Sequence, residues 1–179
     1  MRKCKFLTNA IYVDPDNIKK YIDEQYEKFK KDFIDNTTYV DNLPIKATIK
    51  VNNQNYGEIL TDEKYTHSCF AHIVSKKINK NSMKRKLDLQ RLMTCHWLKE
   101  LIEYYNTNSN CQTCRHLLTK KIKKNKEDLL YIFCDCVRYL IILKKIKEND
   151  DVYYIVKTAY YIDSVYETTD YAYHKKLLS

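Results

Sequence analysis

The sequence predicts an α+β fold, with N-terminal helices and a small hairpin packed on a C-terminal four-stranded antiparallel sheet. Two observations carry this expectation. Three runs rich in Ile, Val, Leu and Tyr, at 129–133, 137–146 and 152–162, are separated by short polar breaks such as Lys147 to Asp151, the pattern of consecutive antiparallel strands. The segments whose apolar residues recur at helical spacing lie before these runs, so helices come first and strands last.

The first helix is expected over 14–35. Asp14 can cap it, Pro15 suits the first helical position, and Ile18, Tyr21, Ile22, Tyr26, Phe29 and Phe33 form its apolar stripe. An alternating run at 45–51, a turn at 52–55 and a second run at 56–60 predict the small hairpin. Gly57 is the only glycine, which excludes a P-loop and a dinucleotide fingerprint. A second helix is expected over 61–78, burying Tyr65, Cys69, Phe70, Ile73 and Val74, with His67, Ser68, His72 and Lys76 beside that face and Lys77 one turn below Ile73. A basic loop at 79–86, NKNSMKRK, could follow a phosphate backbone or be a solvated linker. The third helix is expected over 87–106 with Trp97 as a core anchor, followed by a first strand at 114–122 and a basic turn at 120–126.

Along the last strand, period-two alternation assigns Val152, Tyr154, Val156, Thr158, Tyr160 and Ile162 to one face. Tyr153, Ile155, Lys157, Ala159, Tyr161 and Asp163 fall on the other. A sheet with one side on the core and the other carrying Lys, Thr, Tyr and Arg suits RNA. The end of the chain, 163–179, reads as a tail or a last helical turn; His174, with Lys175 and Lys176, becomes a candidate if it folds back over the sheet. The division expected is an N-terminal extension over 1–60, a helix-plus-sheet domain over 61–165 and a tail over 166–179.

With 44% hydrophobic residues the 179-residue chain can bury a core. No apolar run approaches the roughly 18 residues of a membrane span. The start is basic, and the run at 6–13 is broken by Thr8 and Asn9, so no export signal is read. A cytoplasmic protein with no membrane partner is the expectation. The net charge of +9, from 32 Lys+Arg against 23 Asp+Glu, favours an acidic partner, nucleic acid first; a Lys-rich coding bias would produce the same excess without a ligand. Only five residues are Arg. Arg91 and Arg138 fall inside expected elements, where a guanidinium fork suits phosphate.

Seven cysteines, an odd number, point to a reduced setting. Cys111-x-x-Cys114 and Cys134-x-Cys136, with His116 nearby, could close a zinc site; the favoured reading is free thiols acting as small hydrophobes, with no metal and no cofactor. His67 and His72 are not spaced as a metal-binding i, i+4 pair. Either they are ordinary polar helix residues, or one faces the sheet as general base or acid.

The order of a helix with His67-x-x-x-x-His72, a helix LDLQRLMTCHWLKELIEYYN, and strands ending DCVRYLIIL and DVYYIVKTAYYID resembles the barnase–EndoU–colicin E5/D–RelE superfamily, in particular its phage-associated nuclease families. The resemblance covers roughly residues 61–163. It implies a metal-independent ribonuclease, often a toxin cutting tRNA or other RNA, and an immunity or antitoxin protein as partner. Such an enzyme must deprotonate a 2′-hydroxyl, stabilise a phosphorane and protonate the 5′-oxygen. His72 or His67 is then the base or acid. Arg138 and Lys157 stabilise phosphate, Thr158, Tyr160 and Tyr161 donate hydrogen bonds or orient it, and Arg91 and Lys77 contact RNA. The reading of another class is a non-catalytic protein using the same basic, Tyr-rich sheet to bind nucleic acid or an acidic protein.

Overall fold

A computed structural model describes residues 4, 7–48, 64–65, 67–79, 81–108, 117–162 and 172–178. It has the mixed α+β architecture expected, with helices preceding a four-stranded antiparallel meander. A 3-10 turn, Pro15–Asn17, leads into α1 (Ile18–Lys30), which ends in a π-helical turn, Lys31–Asp35. Asp14 caps the start by accepting from the Asp16 N–H at 3.1 Å. Ile22, Tyr26, Phe29 and Phe33 are buried along one stripe.

Two short strands, β1 (Tyr39–Val40) and β2 (Leu43–Pro44), then pair across Asp41 and Asn42. Both turn residues have positive φ, at 50° and 62°, as a hairpin whose turn matches strand twist requires. The hairpin expected over 45–60 lies outside the described residues from position 49 onward.

The second expected helix is much shorter. It is confined to α2 (Ser68–Ile73), after which the chain forms a hairpin of β3 (Ser75–Lys77) and β4 (Arg85–Leu87). The carbonyls that would continue the helix are taken elsewhere: Ser75 Oγ donates to Ala71 O, and Arg85 donates to His72 O and Ser75 O. The third expected helix is split into α3 (Leu89–Met93), capped by Asp88, and α4 (Trp97–Asn108). Thr94 Oγ1 donates back to Gln90 O at 2.8 Å and the Trp97 N–H to Thr94 O at 3.0 Å, so the chain tightens and restarts between them.

The sheet runs β5 (Leu117–Lys124), β6 (Glu127–Cys134), β7 (Tyr139–Glu148) and β8 (Asp151–Tyr161), each strand beside the next. The basic turn expected at 120–126 narrows to Asn125 and Lys126. With one glycine in the chain, positive φ falls on other residues, among them Asn125, Lys126, Arg138 and Asn149. β8 also departs from simple alternation. Ile142 pairs with Thr158 but Leu143 with Val156, so Lys157 is an extra residue in a β-bulge. Tyr154 and Val156 therefore share the helix-facing core with Ala159 and Tyr161, while Thr158 and Tyr160 point to the other face.

The helix-facing side of the sheet packs on the main core, which gathers Trp97, Phe70, Tyr65, Leu101 and Tyr139. Trp97 meets Tyr139 edge-on at 5.6 Å and donates to Thr8 O at 2.8 Å, an anchor with its polar atom satisfied. The opposite face carries a smaller cluster of Leu129, Tyr131, Phe133, Leu140 and Ile162, covered by α5 (Ala172–Leu178) through Leu178. No helix among the described residues is long and apolar enough to cross a membrane.

Candidate functional site

β8 is an edge strand, and α2 and α3 lie against it. This places the last residue but one of α2, His72, beside cations from three other positions. The imidazole is half-buried and neither ring nitrogen bonds a described residue. Burial, then the neighbouring Arg85, Arg91 and Lys77, hold its pKa down at about 4. It is a neutral base at neutral pH.

The two guanidiniums are anchored at the end of α2. Arg85 donates through Nε to Ser75 Oγ at 2.9 Å and through Nη2 to Ser75 O at 2.7 Å and His72 O at 3.2 Å. Arg91 donates one Nη1 bond to Ser75 O at 2.9 Å and stacks its guanidinium on Tyr160, 4.8 Å from the ring centroid. Burial lowers the Arg91 pKa, while Asp88 acts in the opposite direction. Asp88 is itself engaged, capping α3 at the Arg91 N–H and pairing with Lys76 at 2.8 Å. The Tyr160 hydroxyl lies 3.4 Å from Nε2 of His174, a buried residue of α5, so the end of the chain does fold back over the sheet.

Of the residues singled out in the sequence, the fold thus gathers His72, Lys77 and Arg91, and Arg91 in turn reaches Tyr160, whose ring belongs to the outer face. His67 is elsewhere. It stands at the other end of α2, where Nδ1 meets the Tyr26 hydroxyl at 3.0 Å and the ring packs near Phe29; burial, then Lys30, lowers its pKa. Arg138 is not on a strand but in the four-residue turn between β6 and β7, at φ 56°, where its carbonyl accepts from the Ile162 N–H at 2.9 Å. The bulged Lys157 is ion-paired with Glu127, which also holds Lys144 at 2.9 Å. Thr158 is on the sheet face opposite the main core, and Tyr161 packs against that core opposite Tyr139.

Arg85, in the stretch expected as a basic loop over 79–86, joins this group from β4. The alternation Arg85-Lys86-Leu87 against Ser75-Lys76-Lys77 is its only local signal, and three residues is too short a strand to stand out.

A second basic feature lies at the far end of the sheet. Lys145 is six residues along β7 from Tyr139, about 20 Å at strand rise. There a cleft of about 500 Å³ is lined by Lys121, Lys123, Lys145 and Lys147 together with Asp41, Asp128 and Tyr154. Burial alone would raise the Asp41 pKa, but bonds from Lys121 at 2.8 Å and the Tyr105 hydroxyl at 2.7 Å more than offset it. Among the described residues Lys123, Lys145 and Lys147 make no ion pair.

Cys69 and Cys95 are free and buried, as small hydrophobes are, and burial pushes the Cys95 thiol up to about 12. Cys134, at the end of β6, and Cys136, in the following turn, instead meet Cys4, all three Sγ atoms lying within 4.8 Å of one another. Cys111, Cys114 and His116 lie outside the described residues. No protein-family model matches the chain, and no curated protein and no solved structure matches it.

Proposed function

We propose that the chain is an endoribonuclease that cleaves RNA by 2′-hydroxyl attack, with no metal in the chemical step. The observation that carries this reading is a neutral imidazole without a hydrogen-bond partner among described residues, set near two arginines and a lysine, one of the arginines stacked on a tyrosine. A phosphodiester bound there offsets the cations that depress His72 and returns its pKa toward the ordinary value of about 6.5. Substrate binding then tunes the base for proton abstraction from the 2′-hydroxyl. Arg91, with Nη1 on Ser75 and its plane on Tyr160, presents its remaining N–H groups to a non-bridging oxygen, and Arg85 and Lys77 add charge as the phosphorane forms. The Tyr160 hydroxyl, backed by His174, is the proton donor for the leaving 5′-oxygen. The resemblance to the barnase–EndoU–colicin E5/D–RelE superfamily supports the same chemistry and adds tRNA as substrate class, a toxin or phage-associated role, and an immunity or antitoxin protein as partner.

The test is incubation of the purified chain with total RNA in magnesium-free buffer, with new ends mapped. Discrete cuts carrying 2′,3′-cyclic phosphate, lost in His72→Ala and in Arg91→Ala, are the expected result. Intact RNA with folded protein refutes the nuclease reading. One observation favours a binding protein instead: the lysine-lined cleft, whose three unpaired lysines suit a polyanion. On that reading RNA binds without being cut. Losing Lys145 and Lys147 together lowers the slope of log K against log salt by about 1.4 for a single strand.

A further inference from the structure

We propose that Cys4, Cys134 and Cys136 form a binding site for a thiophilic metal ion of the zinc class. The three Sγ atoms lie within 4.8 Å of one another, and Cys134 Sγ is 3.8 Å from Cys4 Sγ. None of the three is in a disulfide. The separation is too long for a disulfide bond, whose sulfurs are about 2.05 Å apart. It matches the edge of a tetrahedron of sulfurs around zinc, which for Zn–S bonds of about 2.3 Å is about 3.8 Å. An all-sulfur donor set selects soft ions over magnesium or calcium. Cys4 and Cys134 are buried while Cys136 is half-exposed, so an ion could reach the site from the Cys136 side.

The site joins parts of the chain that are far apart in sequence. Cys4 belongs to the start of the chain, and Cys134 and Cys136 flank Asp135 at the turn leaving β6. Asp135 reaches Lys175 of α5 at 3.3 Å, so the same turn touches the helix that covers the outer face of the sheet. A metal held there ties the N-terminal segment to that turn. Each thiol gives up its proton as the ion binds, and the binding free energy adds to folding stability.

The experiment uses the full chain, stripped of metal under reducing conditions, with cobalt(II) as probe and zinc as competitor. One equivalent of cobalt with a thiolate-to-cobalt charge-transfer band, displaced by zinc, is the expected result. The band is lost in Cys136→Ser and in Cys134→Ser and kept in Cys69→Ser. Zinc raises Tm by several degrees in the parent chain and leaves Cys136→Ser unchanged. Because Cys134→Ser alters a buried position, the labelling rate of Cys136 by iodoacetamide in the unmutated chain gives an independent readout, slowed several-fold by zinc. A folded chain that shows no thiolate band, a band that survives both substitutions, or a Cys136 labelling rate indifferent to zinc overturns the proposal.

Discussion

His67 and His72 stand at the two ends of α2, about 7.5 Å of helix rise apart, and burial lowers the pKa of both. Their surroundings have little else in common. His67 is held by the Tyr26 hydroxyl at 3.0 Å inside a set of aromatic rings that includes Phe29, so its nitrogen is already used and its ring is packing. Among the described residues His72 has no such partner, and three cations lie near it. A buried histidine that is satisfied serves the fold. A histidine that makes no such bond among the described residues, and that lies near cations, is the one whose protonation an anion bound there would change, and that is the difference between the two ends.

The largest test of this contrast is catalytic. On the proposed mechanism His72→Ala lowers the rate of RNA cleavage by roughly 10²- to 10⁴-fold, the usual contribution of a general base. His67→Phe leaves the rate within a few-fold. Single-turnover cleavage of a mapped RNA decides it, and a reversed order would exchange the roles of the two ends.

Next in size is the acid dependence of stability. The folded pKa of His72, about 4, lies below the ordinary value of 6.5, so between these pH values the unfolded state binds the proton and the folded state does not. Stability is therefore complete above pH about 6.5 and falls as the pH drops toward 4, by on the order of 2 kcal/mol from this residue. His67 adds a loss of the same sign. Urea melts at pH 7 and pH 4.5 should show a smaller drop in His72→Gln than in the parent chain, and an equal drop would contradict the depressed pKa.

Tyr26→Phe removes the partner of His67 and should destabilise the chain by about 1 kcal/mol without changing cleavage. A comparable loss of activity would mean that the aromatic end of α2 positions the site. The smallest expected effect lies away from both histidines. Lys126 has φ 65° in the turn between β5 and β6, and Lys126→Gly should raise stability by roughly 0.5 kcal/mol, glycine's entropy loss taking back part of the relief. Thermal melts of the two chains measure it.

The elements legible from sequence are those whose signals are local and repeated. The stripe of Ile22, Tyr26, Phe29 and Phe33 predicts α1, and the three apolar runs with polar breaks predict β6, β7 and β8. Lys77 and Arg91 are legible as basic candidates and Tyr160 as an aromatic one, yet periodicity cannot say that the two cations meet at His72 or that Arg91 stacks on Tyr160. Thr158 and Tyr160 stayed on one face as alternation required, but the bulge at Lys157 moved Ala159 and Tyr161 onto the core face that Tyr154 and Val156 occupy.

Tertiary structure shares in deciding where α2 stops: the nearby Ser75 hydroxyl takes the Ala71 carbonyl, but the His72 carbonyl is taken by Arg85, more than ten residues downstream. It also brought Cys4 to Cys134 and His174 to Tyr160. Strand and helix periods report only how a residue sits within its own element. Contacts across 130 residues depend on how the sheet, its edge and both chain ends pack together, and no window along the sequence contains them.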